Sequence, residues 1–257
     1  MDKISAIVSK ERKGPFGSSH TLSLIDTKDK NLEELGKMTS YGVIKGASLY
    51  FGGYSAPDDE SIIDYGYCFQ EALLELTALK LGTCWLGGTF GRGFFAKALS
   101  LPEERVIPAI SPIGFSLDKR VFADKLVRFL AKSSKRKSPD QLFFSHSTAE
   151  RLTSFNTDKA GDQLITVLNA LRSAPSASNK QPWRLIIGNG FMHLYWDFDT
   201  KYNGAMKSFN IQALDMGIAL FHIIKSAEEV KLNKSLTFSD PLLNNVPWKY
   251  VAGLKLS

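Results

Sequence analysis

The chain has 257 residues, of which 44% are hydrophobic, 23% charged and 11% aromatic, a composition that excludes disordered and fibrous classes and supports a sizeable core. No apolar run reaches the roughly 18–20 residues of a membrane helix, the longest candidate being Met216 to Ile224, and the opening Met1-Asp2-Lys3-Ile4 lacks the apolar stretch of a secretory signal. The net charge of +6 is compatible with phosphate-bearing partners, but Lys and Arg are mixed with acids except between Lys132 and Lys137. No nucleic-acid-reading module is visible, which leaves a small anionic ligand or a solvated basic surface.

In chain order, Gly14-Pro15-Phe16-Gly17 is a turn cluster, followed by a strand over residues 21–25. Residues 31–39 read as a short helix, and residues 47–54 as a strand ended by Ala56-Pro57-Asp58-Asp59. From Asp64 to Leu81 the apolar positions Phe69, Ala72, Leu73 and Leu76 recur at helical spacing, with Gly82 as the stop. Residues 106–115 form an apolar strand whose Pro108 and Pro112 predict a bulge or an edge position. A basic connector over 118–137, with a helical piece at 121–131, separates two halves, 1–131 and 132–257.

The second half begins its pattern with a helix over 157–172, carrying Leu164, Val167, Leu168 and Leu171 on one stripe. Strands over 183–187 and 192–198 flank Gly188-Asn189-Gly190, whose residues supply the positive φ of a tight hairpin turn. Residues 213–229 form a helix apolar nearly all round in its first half and therefore central. A last strand spans 248–256.

Two features recur in the same order. A proline turn leads into a strand at Gly14-Pro15 and again at Ala174-Pro175, and an Asp-x-Gly opens a buried helix at Asp64-Tyr65-Gly66 and again at Asp215-Met216-Gly217. This weak duplication suggests two related halves sharing a core, as in a homodimer fused into one chain. Other chemistry is poorly supported. The glycine-rich run from Gly87 to Gly93 lacks the Gly-Lys-Ser/Thr ending of a phosphate cradle and is read as following a helix instead of opening one. The four histidines, His20, His146, His193 and His222, show no metal-ligand spacing with Cys68 and Cys84, and no Gly-x-Ser-x-Gly elbow occurs. Two cysteines are too few for a stapled secreted scaffold and favour a reducing cytosol.

The most informative stretch is Ala174-Pro175-Ser176-Ala177-Ser178-Asn179-Lys180-Gln181-Pro182-Trp183, a loop dense in small side chains, hydroxyls and amides that ends in a strand. Its residues suit a capped helix-to-strand turn as well as a polar planar ligand. The string closely resembles the Ala-Pro-Ser-x-x-Asn-x-Gln-Pro-Trp signature of FMN-dependent nitroreductases. Upstream, Leu81-Gly82-Thr83-Cys84-Trp85 resembles that family's Gly-Leu-Gly-Thr-Cys-Trp segment, with Lys80 where a glycine is usual, and Pro108 to Phe115 resembles its closing strand.

The order of these segments resembles the branch in which one chain imitates the dimer. The resemblance implies an α+β fold of two related halves, with mixed and antiparallel sheets flanked by helices. It implies FMN bound with Trp85, Leu86, Gly87 and Gly88 from the first half and Pro175, Ser176, Ser178, Asn179 and Gln181 from the second, and Lys119 and Arg120 on its phosphate. It implies NAD(P)H as reductant, a small-molecule acceptor such as a nitroaromatic or quinone, a monomeric pseudo-dimer, and no catalytic side chain, metal, nucleic acid or membrane. Arg136-Lys137-Ser138 resembles the family's Arg-Arg-Ser opening and is assigned to a second, degenerate site. The first half departs from the family in offering only Arg12-Lys13 in place of an Arg-Arg-Ser-x-Arg opening, so a non-catalytic flavin-binding or scaffold protein is the alternative.

Overall fold

The computed structural model describes residues 2–28, 46–88, 90–115, 135–146, 151–152, 159–202, 208–232, 235–243 and 245–256. The helices expected over 31–39 and 121–131 lie outside them, and so do Lys119 and Arg120. The fold is α+β. The chain divides into two compact units, Met1–Ala131 with Asn203–Gly217, and Lys132–Tyr202 with Ile218–Ser257.

The first unit contains α1 (Asp2–Ser9), the short pair β1 (Arg12–Lys13) and β2 (Ser19–His20), and β3 (Ser23–Asp26), β4 (Leu49–Gly52), α2 (Asp59–Ala78), β5 (Gly82–Thr83), α3 (Arg92–Ala98) and β6 (Ile110–Gly114). Its main sheet runs β3-β4-β6-β5, antiparallel throughout. Helix α2 starts five residues earlier than the apolar spacing suggested. The Asp58 carboxylate accepts the Ser61 N–H at 2.9 Å, and Asp59 and Glu60 in the first turn suit the helix dipole. The helix ends at Ala78 because Lys80 turns left-handed, with φ 62, while the Lys80 and Leu81 N–H groups return to Thr77 and Leu76. The lysine thus adopts the conformation for which a glycine is the usual choice.

One face of α2 packs on the sheet through Tyr65 and Phe69, one turn apart. Phe69 stacks on Phe51 with ring centroids 4.6 Å apart, and the Tyr65 hydroxyl donates to the Ala109 carbonyl at 2.7 Å while accepting the Gly53 N–H at 3.0 Å. The preceding residue, Asp64, is fully buried and accepts the Phe16 N–H (2.8 Å) and the Ser18 N–H (2.7 Å). The first proline turn and the first Asp-x-Gly, separate in sequence, are therefore bound together.

β6 corrects the expectation for Pro112, because it lies between β4 and β5 and not at an edge. Its register with β5 continues to the Leu86–Ile110 bridge and sets Cys84 opposite Pro112, which has no N–H to offer. Ser111 bridges the gap: its hydroxyl accepts the Cys84 N–H at 3.0 Å and donates to the Pro112 carbonyl at 2.8 Å.

Helix α6 (Gln212–Glu229) begins in the first unit, and the division falls after Gly217. A Cβ on Gly66 would lie 2.6 Å from the Leu214 carbonyl oxygen, and one on Gly217 would overlap the Ile63 carbonyl. Each glycine of an Asp-x-Gly thus touches the residue just before the aspartate of the other, a reciprocal contact of the kind a two-fold axis produces.

The second unit contains α4 (Pro139–Leu142), β7 (Phe143–Ser145), α5 (Lys159–Ser173), a 3₁₀ turn at Ala177–Asn179, β8 (Trp183–Gly188), β9 (Phe191–Trp196), β10 (Leu236–Thr237) and β11 (Lys249–Lys255). Its sheet runs β10-β11-β9-β8-β7, with β7 parallel to β8 and the other pairs antiparallel. The hairpin forms as its turn residues require, with Asn189 at φ 52 and Gly190 at φ 75. Among the described residues no helix is long and apolar enough to cross a membrane.

Two substitutions test this packing by chemical denaturation. Gly217→Ala places a methyl group against rigid backbone and is expected to cost about 3 kcal/mol or more. Ser111→Ala, which unpairs the Cys84 N–H and the Pro112 carbonyl, is expected to cost about 1–3 kcal/mol.

Candidate functional site

In the second unit, Pro175, Ser176, Ser178, Asn179 and Gln181 lie together on the loop between α5 and β8. Ser178, Asn179 and Gln181 all have positive φ, at 49, 56 and 48, a costly conformation for residues other than glycine, least so for asparagine. Side-chain hydrogen bonds hold it. The Ser176 hydroxyl accepts the Gln181 N–H at 2.9 Å, and the Ser178 hydroxyl lies 3.0 Å from that of Tyr202.

The two amides turn toward residues 135–137. Asn179 donates to the Lys135 carbonyl at 2.6 Å and accepts from the Arg136 guanidinium at 3.1 Å, while the buried Gln181 accepts the Lys137 N–H at 2.9 Å. They therefore seat the Arg136-Lys137 backbone on the loop. The Lys137 Nζ lies 3.3 Å from the Gln181 carbonyl, the Arg172 Nε donates to the Lys137 carbonyl at 2.8 Å, and Arg184 donates to the Gln181 carbonyl at 3.0 Å.

The result is a concentration of half-buried positive charge. Burial, then Arg184 and Lys180, push the Lys137 amine down to about 8, against the pull of Asp197. Burial and Arg172 lower Arg136, and burial lowers Arg184 although its guanidinium pairs with Asp197 at 2.6 Å. A crowded, partly desolvated cation group of this kind favours an anion with several acceptor oxygens. Reading the sequence did not select Arg172 and Arg184; their signal was position, since they flank the loop at its two ends.

In the first unit, Trp85 to Gly88 form the turn after β5. Trp85 points inward, its Nε1 donating to the Gln70 side-chain Oε1 at 3.0 Å and its ring centroid 4.6 Å from that of Phe69. Leu86 is buried and exchanges both backbone hydrogen bonds with Ile110 at 3.0 Å. A Cβ on Gly87 would lie 3.1 Å from Ile211, whereas one on Gly88 would meet nothing within 4 Å. Of these four residues Gly88 is the exposed one, and the open approach is to its backbone.

The glycine-rich run from Gly87 does lead from a strand into a helix, α3, contrary to the sequence expectation; with seven residues and no lysine–hydroxyl ending it still makes no phosphate cradle. Arg12 is committed elsewhere. It is buried, bonded to the Ile7 and Lys10 carbonyls, paired with Glu75 and 3.3 Å from Glu71, so it staples α1 and β1 to α2. No metal-binding group of His, Cys, Asp or Glu occurs among the described residues, and both cysteines are free.

The charge crowding at Lys137 sets a pH dependence. Below pH 8 the amine is protonated in both folded and unfolded chains. From about 8 to 10.5 the unfolded chain binds more protons, so stability gains a contribution as pH rises through that window. Lys137→Met is expected to abolish this contribution, measured as the wild-type-minus-variant difference in denaturation midpoint at pH 7, 9 and 10.5.

The sequence profile of a family described as "Putative TM nitroreductase" matches residues 17–227. Among solved structures, the chain is similar to one described as a putative nitroreductase from Thermotoga maritima, with 16% identity over 99% of this chain and 94% of that one and a TM-score of 0.49. It is also similar to an FMN-dependent nitroreductase from Clostridium difficile, at 20% identity over 41% of this chain and 68% of that one with a TM-score of 0.32, and to a nitroreductase family protein from Clostridium novyi, at 17% over 47% and 75% with a TM-score of 0.34. No curated protein shows significant similarity to the chain. Since the profile runs from the first proline turn through most of α6, the chain belongs to this nitroreductase family.

Proposed function

We propose that the protein is an FMN-dependent oxidoreductase that passes electrons from NAD(P)H through the flavin to a nitroaromatic, quinone or similar small acceptor. The observation that carries this reading is the loop from Pro175 to Gln181, whose amides hold Arg136 and Lys137 in a group of half-buried cations. The residues fit the cofactor. Because Asn179 and Gln181 bind Arg136 and Lys137, these two cations are reassigned from the second site that the resemblance implied: with Arg172 they would hold the phosphate, and Lys119 and Arg120 would be further cations for it. Pro175, Ser176 and Ser178 would border the ring, positioned by Asn179 and Gln181.

In the first unit, the open Gly88 backbone would be offered to the ring edge, supported by Trp85, Leu86 and Gly87. The bound flavin supplies the hydride and electron chemistry. The chain's residues bind and orient it, and no side-chain acid or base is assigned. The reading includes a single chain imitating a dimer from its halves 1–131 and 132–257, supported by the reciprocal Gly66 and Gly217 contact, and a reducing, cytoplasmic setting supported by the free cysteines.

One observation favours the alternative, a flavin-binding protein without turnover: Arg12, the basic residue nearest the family's opening segment, is spent on Glu71 and Glu75. Titration with FMN separates the readings. The enzyme is expected to bind FMN saturably, to bleach in the visible flavin bands on adding NAD(P)H without oxygen, and to regain colour with a quinone. Arg136→Met with Lys137→Met is expected to weaken binding about 10–100-fold, as loss of charge-assisted hydrogen bonds of about 1.5–3 kcal/mol implies. Binding without bleaching by either nicotinamide supports a flavin-binding protein without turnover, and absence of binding refutes the enzyme and supports an inert scaffold.

A further inference from the structure

Gly87 and Gly88 share one peptide unit, and its orientation is held by a side chain not yet given a role. The Arg92 guanidinium donates through one nitrogen to the Gly87 carbonyl at 2.7 Å and through another to the Ile107 carbonyl. Its central carbon lies 4.5 Å from the centre of the Phe90 ring and 5.4 Å from that of Phe209. Two acceptors and two rings fix the planar group; a lysine's point charge cannot bridge both carbonyls in this way. All these residues belong to the first unit.

The consequence follows from peptide geometry. The peptide bonds here are trans, and in a trans peptide the C=O and N–H point in opposite directions. With the Gly87 carbonyl drawn to Arg92, the Gly88 N–H is directed away from the guanidinium, on the residue whose surroundings are open. A cation on the carbonyl also polarises the peptide, making its N–H a stronger donor to negative charge. The arrangement is a preorganised donor on an exposed residue, backed by a half-buried positive charge.

We propose that Arg92 is a positioning residue for the flavin edge, orienting and polarising the Gly88 N–H so that it binds the reduced ring more tightly than the oxidised one. This rests on the flavin reading above. Reduction by hydride from NAD(P)H would leave a bound flavin with the transferred hydrogen on a ring nitrogen and one net negative charge that the oxidised ring lacks, so the two states would feel the donor differently. The bond to Ile107 ties the same arginine to the approach to β6, so the guanidinium cannot follow a rotating peptide without breaking a second contact.

The test is the two-electron midpoint potential of FMN bound to wild type, Arg92→Lys and Arg92→Met, with affinity for oxidised FMN and thermal stability measured alongside. Arg92→Met is expected to bind oxidised FMN within about threefold of wild type, yet to lose about tenfold in the ratio of reduced to oxidised affinity. That ratio corresponds to a potential about 30 mV more negative. Arg92→Lys, which keeps the charge but not the fork, is expected to fall between them and serves as the folded variant should Arg92→Met fail to accumulate. A merely structural arginine would lower the melting temperature and leave the potential unchanged in both variants, which would overturn the proposal. Failure of wild type to bind FMN would instead refute the flavin reading on which it rests.

Discussion

Where Gly66 lies against the backbone of Leu214 and Gly217 against that of Ile63, α2 and α6 approach so closely that no side chain fits between them. That distance is available only to glycine, and much of the first unit is oriented from it. With α2 in place, Asp64 faces the turn at residues 14–18, Tyr65 reaches the Gly53 and Ala109 backbone, and Phe69 meets Phe51 and Trp85. Trp85 anchors one end of the turn whose other end is the open Gly88. A chain of contacts thus runs from the helix crossing to that turn.

The two units hold their buried and half-buried cations in different settings. Arg12 is matched by Glu71 and Glu75 and by two carbonyls, so its charge is compensated within the fold. Around the Pro175 loop, Arg136, Lys137, Arg172, Lys180 and Arg184 converge, with Lys180 paired to Asp199 and Arg184 to Asp197. Desolvated charge is costly, and the depressed Lys137 amine is one expression of that cost.

The elements legible in the sequence were those with long repeats, an obligatory turn or a continuous apolar run: α2, α5, α6, the β8–β9 hairpin and the strands β3, β4, β6 and β11. The short pieces, among them α1, α3, α4, β7 and β10, are too brief to show a period, and they exist because neighbouring elements hold them. Pro112 misled for a definable reason. Proline in a strand signals an edge because it lacks a ladder donor, but the Ser111 hydroxyl supplies the missing bridge, and nothing in the residue order announces that a side chain will do the work of a backbone. The site was legible in part. The loop residues and Gly87-Gly88 stood out as strings, whereas Arg172, Arg184 and Arg92 were single charges with no pattern.

What the sequence determined by itself was local: which residues turn, which face of a helix is apolar, and which ten-residue loop marks the family. These follow from backbone sterics and from period, both properties of neighbours along the chain. What only the tertiary structure decided was the use of each polar group: that Asn179 and Gln181 spend their amides on residues 135–137, that Arg12 is neutralised, and that Arg92 grips the Gly87 carbonyl. Hydrogen bonds and charges act across a few ångströms of space, so their partners are assigned by how the chain packs and not by where residues stand along it.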